Sequence, residues 1–134
     1  MELPHGSIIA AGPVIIEDGK VLLNKERKSY GVTPWLFPGG KVENFEESLE
    51  EACRREAKEE MGIDIEIIRP MKTILARQTS NPNAYNILVH YLARRIGNIT
   101  PAENIAEWGW HDIDKLPQDC AENVYEIIEE YKKI

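Results

Sequence analysis

Cysteine is nearly absent from this chain. Only Cys53 and Cys120 occur, far apart and without CxxC spacing. That pattern argues against a zinc site of the usual kind. Reduced thiols in a cytoplasm are the simpler expectation over a disulfide. Long apolar runs are also missing. The longest, Ser7 to Ile16, is interrupted by Pro13 and is too short to span a bilayer. No basic stretch precedes it, so it reads as a core strand and not as a signal segment. Basic residues are in deficit: 16 Lys and Arg stand against 23 Asp and Glu, a net charge of −7. Binding to the backbone of a long nucleic acid needs Lys and Arg gathered on one face, so that function class is not expected. A small phosphorylated ligand stays open, because a divalent cation can bridge an acidic protein to an acidic substrate. Linkers, repeats and low-complexity segments are lacking as well.

What is present suits one domain over residues 1–134. Of its 134 residues 43% are hydrophobic and 29% charged, enough to bury a core without staples. Ile8 to Glu17 reads as a strand, turned by Asp18-Gly19 into a returning strand at Val21-Leu22-Leu23. Residues 24 to 34 read as a basic loop with Lys25, Arg27, Lys28, Gly31 and Pro34. Trp35-Leu36-Phe37 is a short apolar piece stopped by Pro38-Gly39-Gly40. A helix is expected from about Glu46 to Met61, with Gly62 at its C-cap. Ile63 to Arg69 alternates as a half-buried strand. Thr73 to Thr79 and Tyr85 to Arg95 form two more strands around the turn Asn81-Pro82-Asn83. A loop from Gly97 to Ala106 leads to Trp108-Gly109-Trp110, and a second helix runs from about Cys120 to Lys132. Hairpin turns and element order together predict a mixed sheet flanked by helices, an α+β sandwich.

The first helix carries the chemistry. At about 100° per residue, Leu49 and Cys53 mark an apolar stripe flanked by Ala52 and Ala57. Steps of three and four continue that stripe to Glu56 and Glu60, with Glu59 at its edge. Glu50 and Glu51 fall on a solvated face, where pairs such as Glu50–Arg54 and Glu51–Arg55 would support the helix. Inward carboxylates are costly unless paired or bound to metal, and several together repel one another. Their hard oxygens favour Mg²⁺ or Mn²⁺. Gly39-Gly40 lets the backbone come close to a ligand and offer a carbonyl.

These residues resemble a known pattern. Gly40, Glu47, Arg55-Glu56, Glu59-Glu60, Gly62 and Ile63 are similar to the Nudix box, GX5EX7REUXEEXGU, where U is a bulky aliphatic residue. Ala57 is smaller than the usual U residue. Six residues, not five, separate Gly40 from Glu47, which implies one extra residue in the loop around Asn44-Phe45. Trp35 to Glu43 looks like the family's W-x-L-P-G-G-x-x-E lead-in. Glu107-Trp108-Gly109-Trp110 with Asp112 to Pro117 resembles the E-W-x-W…D-x-L-P segment of MutT-like nucleotide hydrolases. The resemblance implies a Nudix α/β/α sandwich and hydrolysis of a nucleoside diphosphate linked to a group X by water attack on phosphorus. It implies Mg²⁺, with Mn²⁺ as substitute, held by Glu56, Glu59, Glu60 and the Gly40 carbonyl. It implies an Arg55–Glu47 ion pair that orients the helix, and Glu59 or Glu60 as the general base. Glu103 matches a region where some members place a further catalytic or metal-binding glutamate. Related enzymes are often dimers, so a homodimer is an expectation.

The substrate is less legible. Arg27 or Lys25 could contact phosphates, since a guanidinium binds them bidentately, and Lys41 lies in the lead-in beside the box. Trp35, Phe37, Tyr85 and Trp110 are candidates for base stacking, with a core role the simpler reading for each. Leu36 stands where some purine-triphosphate members carry an amide, and a leucine makes no hydrogen bond to a base. A nucleoside triphosphate of unspecified base, cleaved to monophosphate and pyrophosphate, is the expected substrate. ADP-ribose or another nucleotide sugar, or a dinucleoside polyphosphate, is the alternative within the family. A nucleotide-binding module without catalysis is the alternative of another class.

Overall fold

The structure, a computed structural model, describes residues 2 to 134. Its elements in chain order are β1 (Ile8–Glu17), β2 (Lys20–Lys28), β3 (Gly31–Val32), β4 (Gly40–Lys41), α1 (Leu49–Met61), β5 (Asp64–Pro70), β6 (Ile74–Arg77), β7 (Tyr85–Ile96), β8 (Ile105–Asp112) and α2 (Glu122–Tyr131). The expected mixed sheet flanked by two helices is present.

The two apolar faces of β1 and β2 explain the layers. Alternation sends Ile15 and Leu22 to a core under α1, and Val14, Val21 and Leu23 to a core under α2. Strands apolar on both faces belong in the middle of a sheet covered on both sides. β1 runs parallel to β7 from Ile8↔Asn86 to Ile15↔Ala93. Its other edge is shared. Ala10 and Ala11 pair with Lys41 and Gly40 of β4, while only Ile16 and Glu17 pair with β2. Asp18 and Gly19 close that hairpin with φ of 51° and 73°, the positive values a two-residue turn of this hand needs. β2 then diverges to pair with β8 over Lys20 to Glu26. The opening between β1 and β2 is filled by residues 36 to 41, with Leu36 bridging Asn24 on one side and Gly40 pairing with Ala11 on the other.

Gly12 is required by this insertion. A Cβ there would overlap the Pro38 carbonyl oxygen and stand 3.0 Å from Gly39 Cα.

The structure corrects the sequence reading at four places. α1 begins at Leu49, not near Glu46, because Ser48 forms a capping box with Glu51: Ser48 Oγ accepts from Glu51 N at 3.1 Å and Glu51 Oε1 accepts from Ser48 N at 3.2 Å. Such a cap contributes about 1 kcal/mol. Residues 24 to 28 are strand and not loop, since β8 supplies their backbone partners. The expected Glu50–Arg54 and Glu51–Arg55 pairs are absent among the described residues. Arg54 instead donates to the Ile65 carbonyl at 3.2 Å, and Arg55 turns to other carboxylates. Leu49 is also more open than its place on the stripe implied, at 38% exposure.

One buried polar group ties α2 to the sheet. The His90 ring on β7 lies 2.9 Å from the Lys72 carbonyl through Nδ1 and 3.0 Å from the Asn123 amide nitrogen through Nε2. The carbonyl can only accept, so Nδ1 carries the hydrogen and Nε2 accepts, the neutral tautomer. Burial holds the His90 pKa below the ordinary value, against smaller opposing effects of the Lys72 carbonyl and of Glu130 and Glu126.

Two outcomes are expected. Gly12→Ala should lose about 2 kcal/mol or more, a fall of roughly 6 °C or more in Tm. Below about pH 6.5 the unfolded chain takes up a proton that folded His90 resists, so stability should drop as pH falls through that range. The loss of Tm between pH 7.5 and 5.5 should be smaller in His90→Gln than in the wild type, which thermal denaturation at both pH values will read.

Candidate active site

α1 turns a mixed line of side chains toward the sheet. Ala52, Cys53, Glu56, Ala57 and Met61 are buried. Glu60 is half-buried, while Glu59, Glu50 and Glu51 are exposed. Glu56 is only 5% exposed although it carries a carboxylate. It fits because Gly40 lies directly against it: a Cβ on residue 40 would stand 2.7 Å from Glu56 Cδ. Gly39 makes room for the same crossing, with φ of 154° and the Ala11 carbonyl behind it. The glycine pair is therefore demanded by two close approaches, one to β1 and one to α1.

The extra residue upstream of α1 does not disturb this contact. It is taken up in the turn 44–47, where Glu46 N donates to Asn44 Oδ1 at 3.0 Å and Glu47 N to the Asn44 carbonyl at 3.3 Å. Phe45 projects outward, 80% exposed. Glu47 still reaches Arg55.

Arg55 gathers the carboxylates. Its Nε donates to Glu47 Oε1 at 2.9 Å, and its Nη1 to Glu56 Oε1 at 2.8 Å and Glu59 Oε2 at 3.1 Å. The Glu47 hydrogen bond is the main cause holding the guanidinium charged. Burial raises the Glu56 pKa, and Arg55 opposes the rise. Glu60 has no ion-pair partner among the described residues. Burial first, then the charge of Glu26, push its carboxyl up to about 7, opposed by a hydrogen bond from Asn104. Asn104 Nδ2 stands 3.4 Å from both Glu60 oxygens and 3.4 Å from Glu26 Oε1.

Glu26 and Asn104 went unnoticed in the sequence reading. Residue 26 fell inside a stretch taken as loop. Strand alternation from Leu22 through Asn24 would have put Glu26 on the face beneath α1. Asn104 carries no comparable signal, because a loop fold brings it there.

The other expected site residues are placed variously. Arg27 Nη1 donates to the carbonyls of Glu103 at 2.7 Å and Ile105 at 3.1 Å, so it anchors the start of β8 to β2. The Glu103 side chain is exposed. Lys41 is exposed and loosely paired with Glu43 at 3.9 Å. Trp35 and Phe37 are each 7% exposed in the core under α2, on the far side of the sheet from Glu56. Lys25 bonds Asp119 at 2.7 Å and lies over the Trp35 ring. Trp110 and Tyr85 lie under Arg95 and Arg77.

The donors available to a cation are all oxygens: Glu56, Glu59 and Glu60 with the Gly40 backbone. That chemistry fits Mg²⁺ or Mn²⁺ and not a softer metal. Among the described residues no three carboxylates close around one point by themselves, since Glu56 and Glu59 both turn to Arg55. The fit rests on the donor set and on the half-buried, unpaired Glu60.

Comparison with known proteins identifies the family. The family model described as NUDIX domain matches residues 7–131. An oxidized purine nucleoside triphosphate hydrolase from Danio rerio is 26% identical over 104 residues, 78% of this chain and 65% of that protein. The chain thus spans slightly less than two thirds of that relative. An ADP-ribose pyrophosphatase from Methanocaldococcus jannaschii is 28% identical over 126 residues, 93% of this chain and 73% of that protein. The crystal structure of a MutT NUDIX hydrolase from Burkholderia pseudomallei superposes with a TM-score of 0.81 at 27% identity, covering 93% of this chain and 98% of that one. With a family model matched over nearly its whole length, this chain belongs to the NUDIX domain family.

Proposed function

We propose that the chain is a Mg²⁺-dependent hydrolase of a nucleoside diphosphate linked to another group. Its preferred substrate in this reading is a nucleoside triphosphate, cleaved to the monophosphate and pyrophosphate. The carrying observation is the carboxylate line of α1, in which Glu56 packs on the Gly40 backbone while Glu60 stays half-buried and unpaired. A core-facing stripe built this way costs stability unless it serves a cation. The resemblance to MutT-like segments and the triphosphate hydrolase relative support the substrate class.

In this mechanism the chain's residues position and accept. Glu56, Glu59, Glu60 and the Gly40 carbonyl would hold the cation. Bound Mg²⁺ or Mn²⁺ would neutralise the phosphates, acidify a water and stabilise the leaving phosphate. Arg55 keeps the α1 carboxylates in register through Glu47. A Glu60 or Glu59 oxygen accepts the proton of the attacking water as its oxygen bonds phosphorus and the phosphoanhydride P–O bond breaks. Glu103 is a further candidate for the same proton. Arg27 and Lys41 are candidate phosphate contacts. A cytoplasmic setting that keeps Cys53 and Cys120 reduced, and a homodimer, go with this reading.

A second reading has its own support. The relative that covers more of this chain is named an ADP-ribose pyrophosphatase, so ADP-ribose is the alternative substrate. A binding module without catalysis is disfavoured, because the Gly40–Glu56 contact survives the extra loop residue.

Three measurements test the proposal. Glu60→Gln should lower Mg²⁺-dependent turnover by about 10²–10⁴-fold with little change in Tm; unchanged turnover would sink the assignment. Gly40→Ala should raise the Mg²⁺ concentration needed for half-maximal rate, by roughly tenfold, because its Cβ displaces the Glu56 carboxylate. A substrate panel with product identification should show pyrophosphate released from nucleoside triphosphates. ADP-ribose as the only efficient substrate would replace the triphosphate by the second reading. No hydrolysis with either cation, alongside nucleotide-induced thermal stabilisation, would leave a binding module.

A further inference from the structure

The buried polar residues among those described are Asn24, Thr33, Glu56 and His90, and His90 is the one that bonds to α2. Its ring is held at both nitrogens, by the Lys72 carbonyl and the Asn123 amide. Lys72 is itself fixed from α2, its backbone N donating to Glu130 Oε1 at 2.9 Å. A ring bonded at both ends keeps one orientation, which an apolar side chain of similar size would not.

That ring stands against the lead-in to Gly40. The Phe37 ring meets it edge-on, with centroids 5.5 Å apart and planes at 75°. Gly12 is registered beside His90 across the β1–β7 pair. By alternation from Val14, Gly12 faces α2. The Pro38 carbonyl fills the space that a Gly12 side chain would take. His90 therefore stands about one strand spacing, ~4.8 Å, from the point where residues 37–39 cross β1.

The path onward is short and rigid. Phe37 leads into Pro38, whose ring fixes its φ. Gly39 is wedged against the Ala11 carbonyl, and Gly40 packs on the Glu56 carboxylate with no space for a Cβ. Each link is a packed contact, so a displacement at Phe37 is carried to Gly40 and not absorbed on the way.

We infer that His90 is a positioning residue of the cation site: through the Phe37 ring it fixes the Pro38-Gly39-Gly40 corner against β1, and so sets where the Gly40 carbonyl stands relative to the Glu56 carboxylate. The inference rests on the reading of Gly40 and Glu56 as cation ligands. It adds a support on the opposite face of the sheet, which couples the seating of α2 to cation affinity. The ring itself touches neither cation nor substrate.

Mn²⁺ binding to the nucleotide-free chain, followed by electron paramagnetic resonance well below Tm, tests it together with the amide resonances of Gly39 and Gly40. His90→Ala and Phe37→Leu should each weaken Mn²⁺ by about fivefold or more and shift both resonances. The double variant should weaken it by less than the product of the two, since both act along one path. Val124→Ala, at a buried core position of α2, should lower Tm yet leave Mn²⁺ affinity within about twofold of the wild type. If His90→Ala does not fold, Phe37→Leu carries the same test. An equal loss of affinity in Val124→Ala overturns the inference, because the effect is then one of general packing. Mn²⁺ bound equally well by wild type, His90→Ala and Phe37→Leu also overturns it, and leaves the cation site standing. Absence of any Mn²⁺ binding in the wild type overturns the cation reading on which it rests.

Discussion

Arg55 is the side chain on which the site depends. One guanidinium on α1 holds Glu47 from the preceding turn and Glu56 and Glu59 from its own helix. Without it, Glu56 and Glu59, three residues apart on the helix, would repel across a face that the fold has half-buried. Its reach to Glu47 also fixes how the loop enters the helix. The extra residue near Phe45 can therefore be absorbed outward while the helix keeps its seat. Half-burial of Arg55 makes these contacts stronger than a fully exposed ion pair would be, while partial solvation spares it the full cost of desolvation.

The seat itself comes from the sheet. β1 has a long parallel partner in β7 on one edge, but its other edge is shared between β4 and the start of β2. Residues 36 to 41 enter the gap, and the Pro38-Gly39-Gly40 corner crosses Gly12 at a distance that leaves no space for side chains. That crossing carries Gly40 under Glu56. The fold and the chemistry meet at this point. Glycine is needed for packing on the β1 side and for the carboxylate on the α1 side, and the same residues answer both needs.

The split sheet also sorts the aromatic residues. Trp35 and Phe37 flank Leu36, so alternation sends both to the core under α2, and Leu36 alone to the face under α1. A stacking role for Trp35 or Phe37 at the α1 site would need the strand turned over. Trp108, 38% exposed opposite Asn24, is the aromatic residue on the α1 face nearest Glu26 along β2. The basic residues that looked free in the sequence are mostly engaged: Lys25 under α2 and Arg27 at the start of β8. An acidic face with few uncommitted cations is what the proposed dependence on a divalent cation rests on.

Much of this was decided by local sequence. The β1 hairpin follows from Asp18-Gly19, the α1 phase from the spacing of Ala52, Cys53, Glu56, Ala57 and Glu60, and the Arg55–Glu47 pair from the resemblance to the box. Periodicity and turn chemistry act over a few residues, so they can be read without knowing the fold. The helix start was legible too, in Ser48 and Glu51, but propensity alone placed it too early. What tertiary structure decided lies at longer range. Residues 24 to 28 are strand only because β8, some 80 residues later, offers hydrogen-bond partners. Glu26 joins Glu60 only because that pairing aims it at α1, and Asn104 reaches both only through the loop that ends in β8. Pairing across a sheet is set by which strand arrives, and no window of the sequence contains both partners.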